Sequence, residues 1–66
     1  MRITLNGSPH EIAGPTTVAR LLETLGLPAA RVAVQVNEDI VPRARHAETP
    51  IAGGDRVEVI AFSSGG

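Results

Sequence analysis

The chain closes on Ser63-Ser64-Gly65-Gly66, and that closing stretch is where its residues could enter chemistry. A terminal glycine has no Cβ, so it can thread a narrow channel and leave its carbonyl open to attack from either face. Four small residues span about 13 Å when extended at roughly 3.3 Å each, enough to reach into another protein's active site. A terminal carboxylate titrates at about 3.3–3.7, so at neutral pH it is ionised and a poor electrophile. Attachment of AMP would turn it into a mixed anhydride, which sulfur or another nucleophile could then attack. A Gly-Gly end by itself is equally compatible with an inert, flexible terminus.

The chain has no means of activating that carboxylate itself. It lacks a glycine-rich phosphate loop ending in Lys-Ser/Thr, and it contains neither Lys nor Cys. A separate ATP-using enzyme is implied, and the chain itself is expected to bind no cofactor. All six basic side chains other than histidine are Arg, which leaves the N-terminus as the sole amine and excludes self-linked chains through Lys. His10 and His46 are acid–base candidates by residue type, yet they stand in no catalytic or metal-binding spacing and are expected at the exposed surface. Glu38-Asp39 reads as adjacent solvated acids in a turn, not as a catalytic pair.

Composition narrows the remaining classes. Sixty-six residues allow one small domain with a modest core. Without cysteine, regular hydrogen bonding and apolar packing must hold it together. An apolar fraction of 42% with a net charge of −1 argues for a folded chain. Six scattered Arg residues set against seven acids give no basic stripe for phosphates, so nucleic acid is not expected as a partner. No apolar run approaches the ~20 residues of a membrane span and no leader opens the chain. A cytoplasmic location is therefore expected.

Periodicity supplies the elements that must carry the tail. Met1 to Asn6 alternates as a half-buried strand, and Asn6-Gly7 signals a hairpin. Ser8-Pro9 is expected to lengthen the turn before a second strand, His10 to Ala13. Gly14-Pro15 breaks that strand, after which Thr16 or Thr17 can cap a helix. Val18, Leu21, Leu22 and Leu25 form one apolar stripe on that helix. Gly26 and Pro28 end it within about three turns, with Leu27 folding back on its last turn. Arg31 to Asn37 alternates again, and Asn37-Glu38-Asp39 turns the chain into a short edge strand, Ile40-Val41, stopped by Pro42.

Arg43 to Pro50 reads as irregular loop, anchored by Ile51. Gly53-Gly54-Asp55 turns into the final strand, Arg56 to Phe62. The pattern is α+β. With one apolar helix stripe, the sheet should keep one covered and one open face. If Val57, Val59 and Ala61 face the helix, then Ile60 and Phe62 lie on the open face beside Ala33. There they form either a partner surface or an apolar pair packed under a loop.

Several segments, in order and spacing, resemble the ThiS family of thiamine-biosynthetic sulfur carriers over the whole length. They are Ile3-Thr4-Leu5-Asn6-Gly7, Thr17-Val18-Ala19-Arg20-Leu21-Leu22, Val34-Gln35-Val36-Asn37, Ile40-Val41-Pro42-Arg43, Gly54-Asp55-Arg56-Val57-Glu58-Val59 and Gly65-Gly66. The resemblance implies a ubiquitin-like β-grasp domain over 1–62, a mixed sheet of four to five strands on one main helix with first and last strands adjacent and parallel. Residues 63–66 would form a flexible tail.

The same resemblance implies that an E1-like adenylyltransferase of ThiF type adenylates Gly66 with ATP. A cysteine desulfurase would supply sulfur for a thiocarboxylate, and a ThiG-type thiazole synthase would receive it. Ser63, Ser64 and Gly65 would enter the partner's active site, with Ile60, Phe62 and Ala33 as its docking surface. Two positions depart from the family pattern: the tail, which often ends Val-Gly-Gly-Gly, and His46, where an aromatic residue is frequent. Carriers for molybdopterin, tRNA thiolation or cysteine synthesis share this chemistry. A ubiquitin-like tag and a β-grasp interaction module with an inert tail are readings from other classes.

Overall fold

The computed structural model describes residues 1–62. In chain order these form β1 (Arg2–Leu5), β2 (Ser8–Glu11), β3 (Thr16–Thr17), α1 (Val18–Leu25), β4 (Val32–Val36), β5 (Asp39–Val41), β6 (Pro50–Ile51) and β7 (Arg56–Ala61). Two 3-10 segments, Ala29–Arg31 and Arg43–Glu48, lie between them. Five strands make one mixed sheet in the order β2-β1-β7-β4-β5. β1 and β7 run parallel at its centre and the other neighbours are antiparallel. This is the α+β arrangement expected, a five-stranded sheet on one main helix. Among the described residues no helix is long and apolar enough to cross a membrane.

The helix begins and ends where its sequence says it should. Thr17 is the N-cap, its Oγ1 accepting the Arg20 N–H at 3.2 Å. Gly26 takes φ 73 and donates its N–H to the Glu23 carbonyl, while the Leu27 N–H reaches the Leu22 carbonyl at 2.9 Å. A left-handed glycine can close the last turn this way at little steric cost. Val18, Leu21 and Leu22 are buried against Ile3, Val34 and Val57 from the sheet and Ile51 from β6.

The first hairpin is tighter than expected. Asn6 (φ 51) and Gly7 (φ 84) form the whole turn, so the second strand starts at Ser8, not His10, and ends at Glu11, not Ala13. Ser8 and Pro9 are strand residues paired with Leu5 and Thr4. Met1 and Ile12 exchange both hydrogen bonds, at 2.9 and 2.7 Å. Counting inward by twos, Thr4–Pro9 falls on a non-hydrogen-bonded pair of an edge strand, where the N–H that proline lacks is not required.

Asn6 also acts at a distance. β1 and β7 are in register only at Thr4–Arg56 and Leu5–Val57. Beyond that, the Asn6 Oδ1 accepts the Val59 N–H at 2.7 Å, so a side-chain amide continues the parallel ladder after β1 has turned away. Asn6→Ala loses this bond and places alanine at positive φ. We expect it to destabilise the domain by about 1–3 kcal/mol. An unchanged urea midpoint would contradict that role.

The second hairpin turns on Asn37 (φ 51) and Glu38 (φ 76) alone, and Asp39, expected in the turn, pairs with Val36 as the first residue of β5. Asn37 links this turn to the next one. Its Nδ2 donates to Asp55 Oδ1 at 3.1 Å, and its Oδ1 accepts the Arg56 N–H at 2.9 Å. Residues 43–50, expected as loop, contain the 3-10 segment and the first residue of β6, which pairs with β3. Neither was legible locally, because β6 is defined by its pairing with β3 and the 3-10 segment packs on α1.

Candidate docking face and reactive terminus

The face of the sheet away from α1 carries the exposed apolar residues. Along β7, Val57 and Val59 are buried beneath the helix, whereas Ile60 is 53% and Phe62 is 55% exposed. Ala61, expected to share the covered face with the two valines, is exposed at the end of the sheet. Ile60 and Phe62 therefore do not pack under a loop. The register sets Ala33 directly across from Ile60 and Gln35 across from Glu58.

Sequence reasoning missed one member of this face. Ile40 lies across β5 from Gln35 and is 72% exposed. Its alternation with buried Val41 was the available signal, but only the β4–β5 register puts it diagonal to Ala33 on the same surface. Ile40, Ala33, Ile60 and Phe62 thus form an apolar group of a kind that marks contact surfaces when contiguous.

Pairing continues one step past β7, where the Phe62 N–H donates to the Arg31 carbonyl at 2.8 Å. Residue 62 is thereby fixed to the sheet. Ser63, Ser64, Gly65 and Gly66 follow it directly and lie outside the described residues. The N-terminal ammonium is engaged elsewhere, donating to the Ile12 carbonyl at 2.9 Å and lying 3.7 Å from Glu11.

Both histidines differ from expectation. His10 is half-buried, opposite Ile3 on the helix side of the sheet. His46 is only 4% exposed and borders a groove with Leu22, Leu27 and Ala29. The 3-10 segment rolls one of its sides onto α1, and no two-residue or 3.6-residue period announces such a roll. Among the described residues His46 Nδ1 is buried without a hydrogen-bond partner. A buried polar atom left unsatisfied costs about 1–3 kcal/mol, so His46→Phe should raise stability by up to that amount. A lower melting temperature would show that the groove cannot accept the ring.

Among the described residues no group of three or more His, Cys, Asp or Glu side chains could hold a metal ion. Glu38 is exposed with its carboxylate 3.5 Å from the Arg56 guanidinium, and nothing pairs it with Asp39. Among the described residues the arrangement offers an exposed apolar face and no cluster of catalytic groups.

A family model described as the ThiS family matches residues 3–66. The chain belongs to the ThiS family. It is 36% identical to a sulfur carrier protein ThiS from Thermus thermophilus over 64 residues, 97% of this chain and 98% of that protein. A crystal structure of a thiamine biosynthesis protein (ThiS) from Geobacter metallireducens superposes with a TM-score of 0.87 at 33% identity, covering both chains fully. The fold is therefore that family's ubiquitin-like fold. Two relatives of matching length are named sulfur carrier protein ThiS.

The chain is also 36% identical over all 66 residues to part of a thiazole synthase from Paramagnetospirillum magneticum. It spans only 20% of that protein's length.

Proposed function

We propose that this chain is a sulfur carrier in the thiazole branch of thiamine biosynthesis, working in the cytoplasm. An E1-like adenylyltransferase of ThiF type would use ATP to adenylate the Gly66 carboxylate, releasing pyrophosphate. A cysteine desulfurase would supply sulfur as a protein persulfide, which displaces AMP to give an acyl disulfide. A second thiol would then cleave the S–S bond, forming a disulfide and releasing the thiocarboxylate that a thiazole synthase of ThiG type would consume. The chain itself binds no cofactor in this reading. Ser63, Ser64 and Gly65 pass through the partner's channel, and Ile60, Phe62 and Ala33, now joined by Ile40, meet the partner's surface.

The observation that carries this reading is the full-length family match, which extends to Gly66. The likeness to a fifth of a thiazole synthase favours thiazole over the other sulfur pathways, because it places a segment like this chain in the same polypeptide as the acceptor's chemistry. Intact mass spectrometry tests it directly, after incubation with ATP, the activating enzyme and a sulfur donor. The expected product is this chain with one carboxylate oxygen replaced by sulfur, mapped to Gly66. An unmodified chain beside a demonstrably active enzyme would refute the carrier reading, and isopeptide adducts would point to a tag.

A further inference from the structure

Two polar side chains stand in the middle of the exposed apolar face without hydrogen-bond partners among the described residues. Gln35 on β4 and Glu58 on β7 lie directly across from each other, on the side of the sheet away from α1. Both are half-buried, and neither side chain is held by a hydrogen bond or an ion pair, to the other or elsewhere. Ile40 lies beyond Gln35 on β5, and the Ala33–Ile60 pair lies one step along the strands. Neighbouring arginines are already met. Arg56, on the same side of β7, has its guanidinium 3.5 Å from Glu38, and Arg2 on β1 is held by Glu11 at 3.1 Å.

Water can satisfy Gln35 and Glu58 while the face is open. Covering the face removes that water, and a carboxylate buried without a partner is strongly destabilising. A partner that buries Ile40, Ala33 and Ile60 must therefore bring a cation to this spot. Arginine fits it better than lysine. Its planar guanidinium carries five N–H donors, so one edge can meet both carboxylate oxygens of Glu58 while another N–H reaches the Gln35 amide oxygen. Lysine is a strongly hydrated point charge that cannot make the paired contact, whereas arginine is at home among apolar interface residues.

We propose that the Gln35–Glu58 pair is a receptor for an arginine side chain of the ATP-dependent activating enzyme. The apolar residues around it supply contact area, and the pair decides which surface is accepted. A surface with an apolar or acidic side chain there is rejected, because it leaves the carboxylate covered and unmet. Gln35 and Glu58 touch no reacting atom and act as positioning residues. The proposal rests on the carrier reading above.

Its test is isothermal titration calorimetry of the chain against the activating enzyme, with ATP–pyrophosphate exchange measured on the same samples. Glu58→Gln keeps the shape and removes the charge. It should weaken binding about tenfold and raise KM alike, while kcat stays within about twofold. Gln35→Ala should weaken binding about threefold. Together the two changes should cost less than the product of their separate effects, because both groups hold one guanidinium. Glu23→Gln, which removes an exposed carboxylate on α1, should leave affinity unchanged. If Glu58→Gln does not unfold cooperatively, Glu58→Asp replaces it, with a loss of about threefold from a carboxylate set back by one methylene. Wild-type affinity in Glu58→Gln, tighter binding by Glu58→Leu, fully multiplicative losses, or an equal effect of Glu23→Gln overturns the proposal. Failure of the wild-type chain to support exchange overturns the carrier reading itself.

Discussion

Removing Gly66, or replacing it with alanine, is expected to abolish activation while leaving the melting temperature within experimental error of wild type. The described strands and core cluster are formed by residues 1–62, with Phe62 paired to Arg31 at the end of the sheet, which is why the melting temperature is expected to hold. Activation depends on where one carboxylate oxygen sits relative to a phosphorus atom. A misplacement of about 1 Å costs on the order of 100-fold in rate. In the carrier reading proposed above, a Cβ at Gly66 would obstruct the channel that receives the chain end, and deletion would draw the carboxylate back by a full residue. Gly65→Ala should act in the same direction more mildly. Pyrophosphate exchange and differential scanning calorimetry on the same samples would separate the two effects. Undiminished exchange by Gly66→Ala would refute the assignment of this residue, and a lowered melting temperature would show that the terminus packs on the domain.

The largest stability effect should come from Ile51→Ala. Ile51 is 1% exposed in the core cluster, and it ties β6 into the body of the domain. Truncating a buried isoleucine costs about 2–5 kcal/mol, from lost burial and the cavity left behind. A chain of 66 residues has a total stability of roughly 3–10 kcal/mol. The two ranges overlap, so the variant should be substantially unfolded at 37 °C. Urea denaturation followed by circular dichroism would measure it. A loss below about 1 kcal/mol would mean that the segment collapses onto the vacancy, contrary to the packing described.

The alternating strands, the stripe on α1, the Thr17 cap and the Gly26 stop are short-range patterns, and each was legible because its cause lies within a few residues. The first hairpin's register was not, since the choice between a two-residue and a four-residue turn depends on whether Ser8 and Pro9 find partners across the sheet. The 3-10 segment at Arg43–Glu48 and the burial of His46 escaped for a related reason. That stretch has no period of its own and takes its shape from the helix it packs on.

What the sequence by itself determined was the parts list: a closing stretch of small residues, a helix with one covered side, and strands enough to grip it. Those follow from residue type and local spacing, which act without knowledge of the fold. Only the tertiary structure decided which side chains share a surface. Ile40 and Ala33 stand near Ile60, and Arg31 stands beside Phe62, because β7 lies against β4 and β4 against β5. Those pairings join residues distant in sequence, and no local preference of the chain specifies which of them become neighbours.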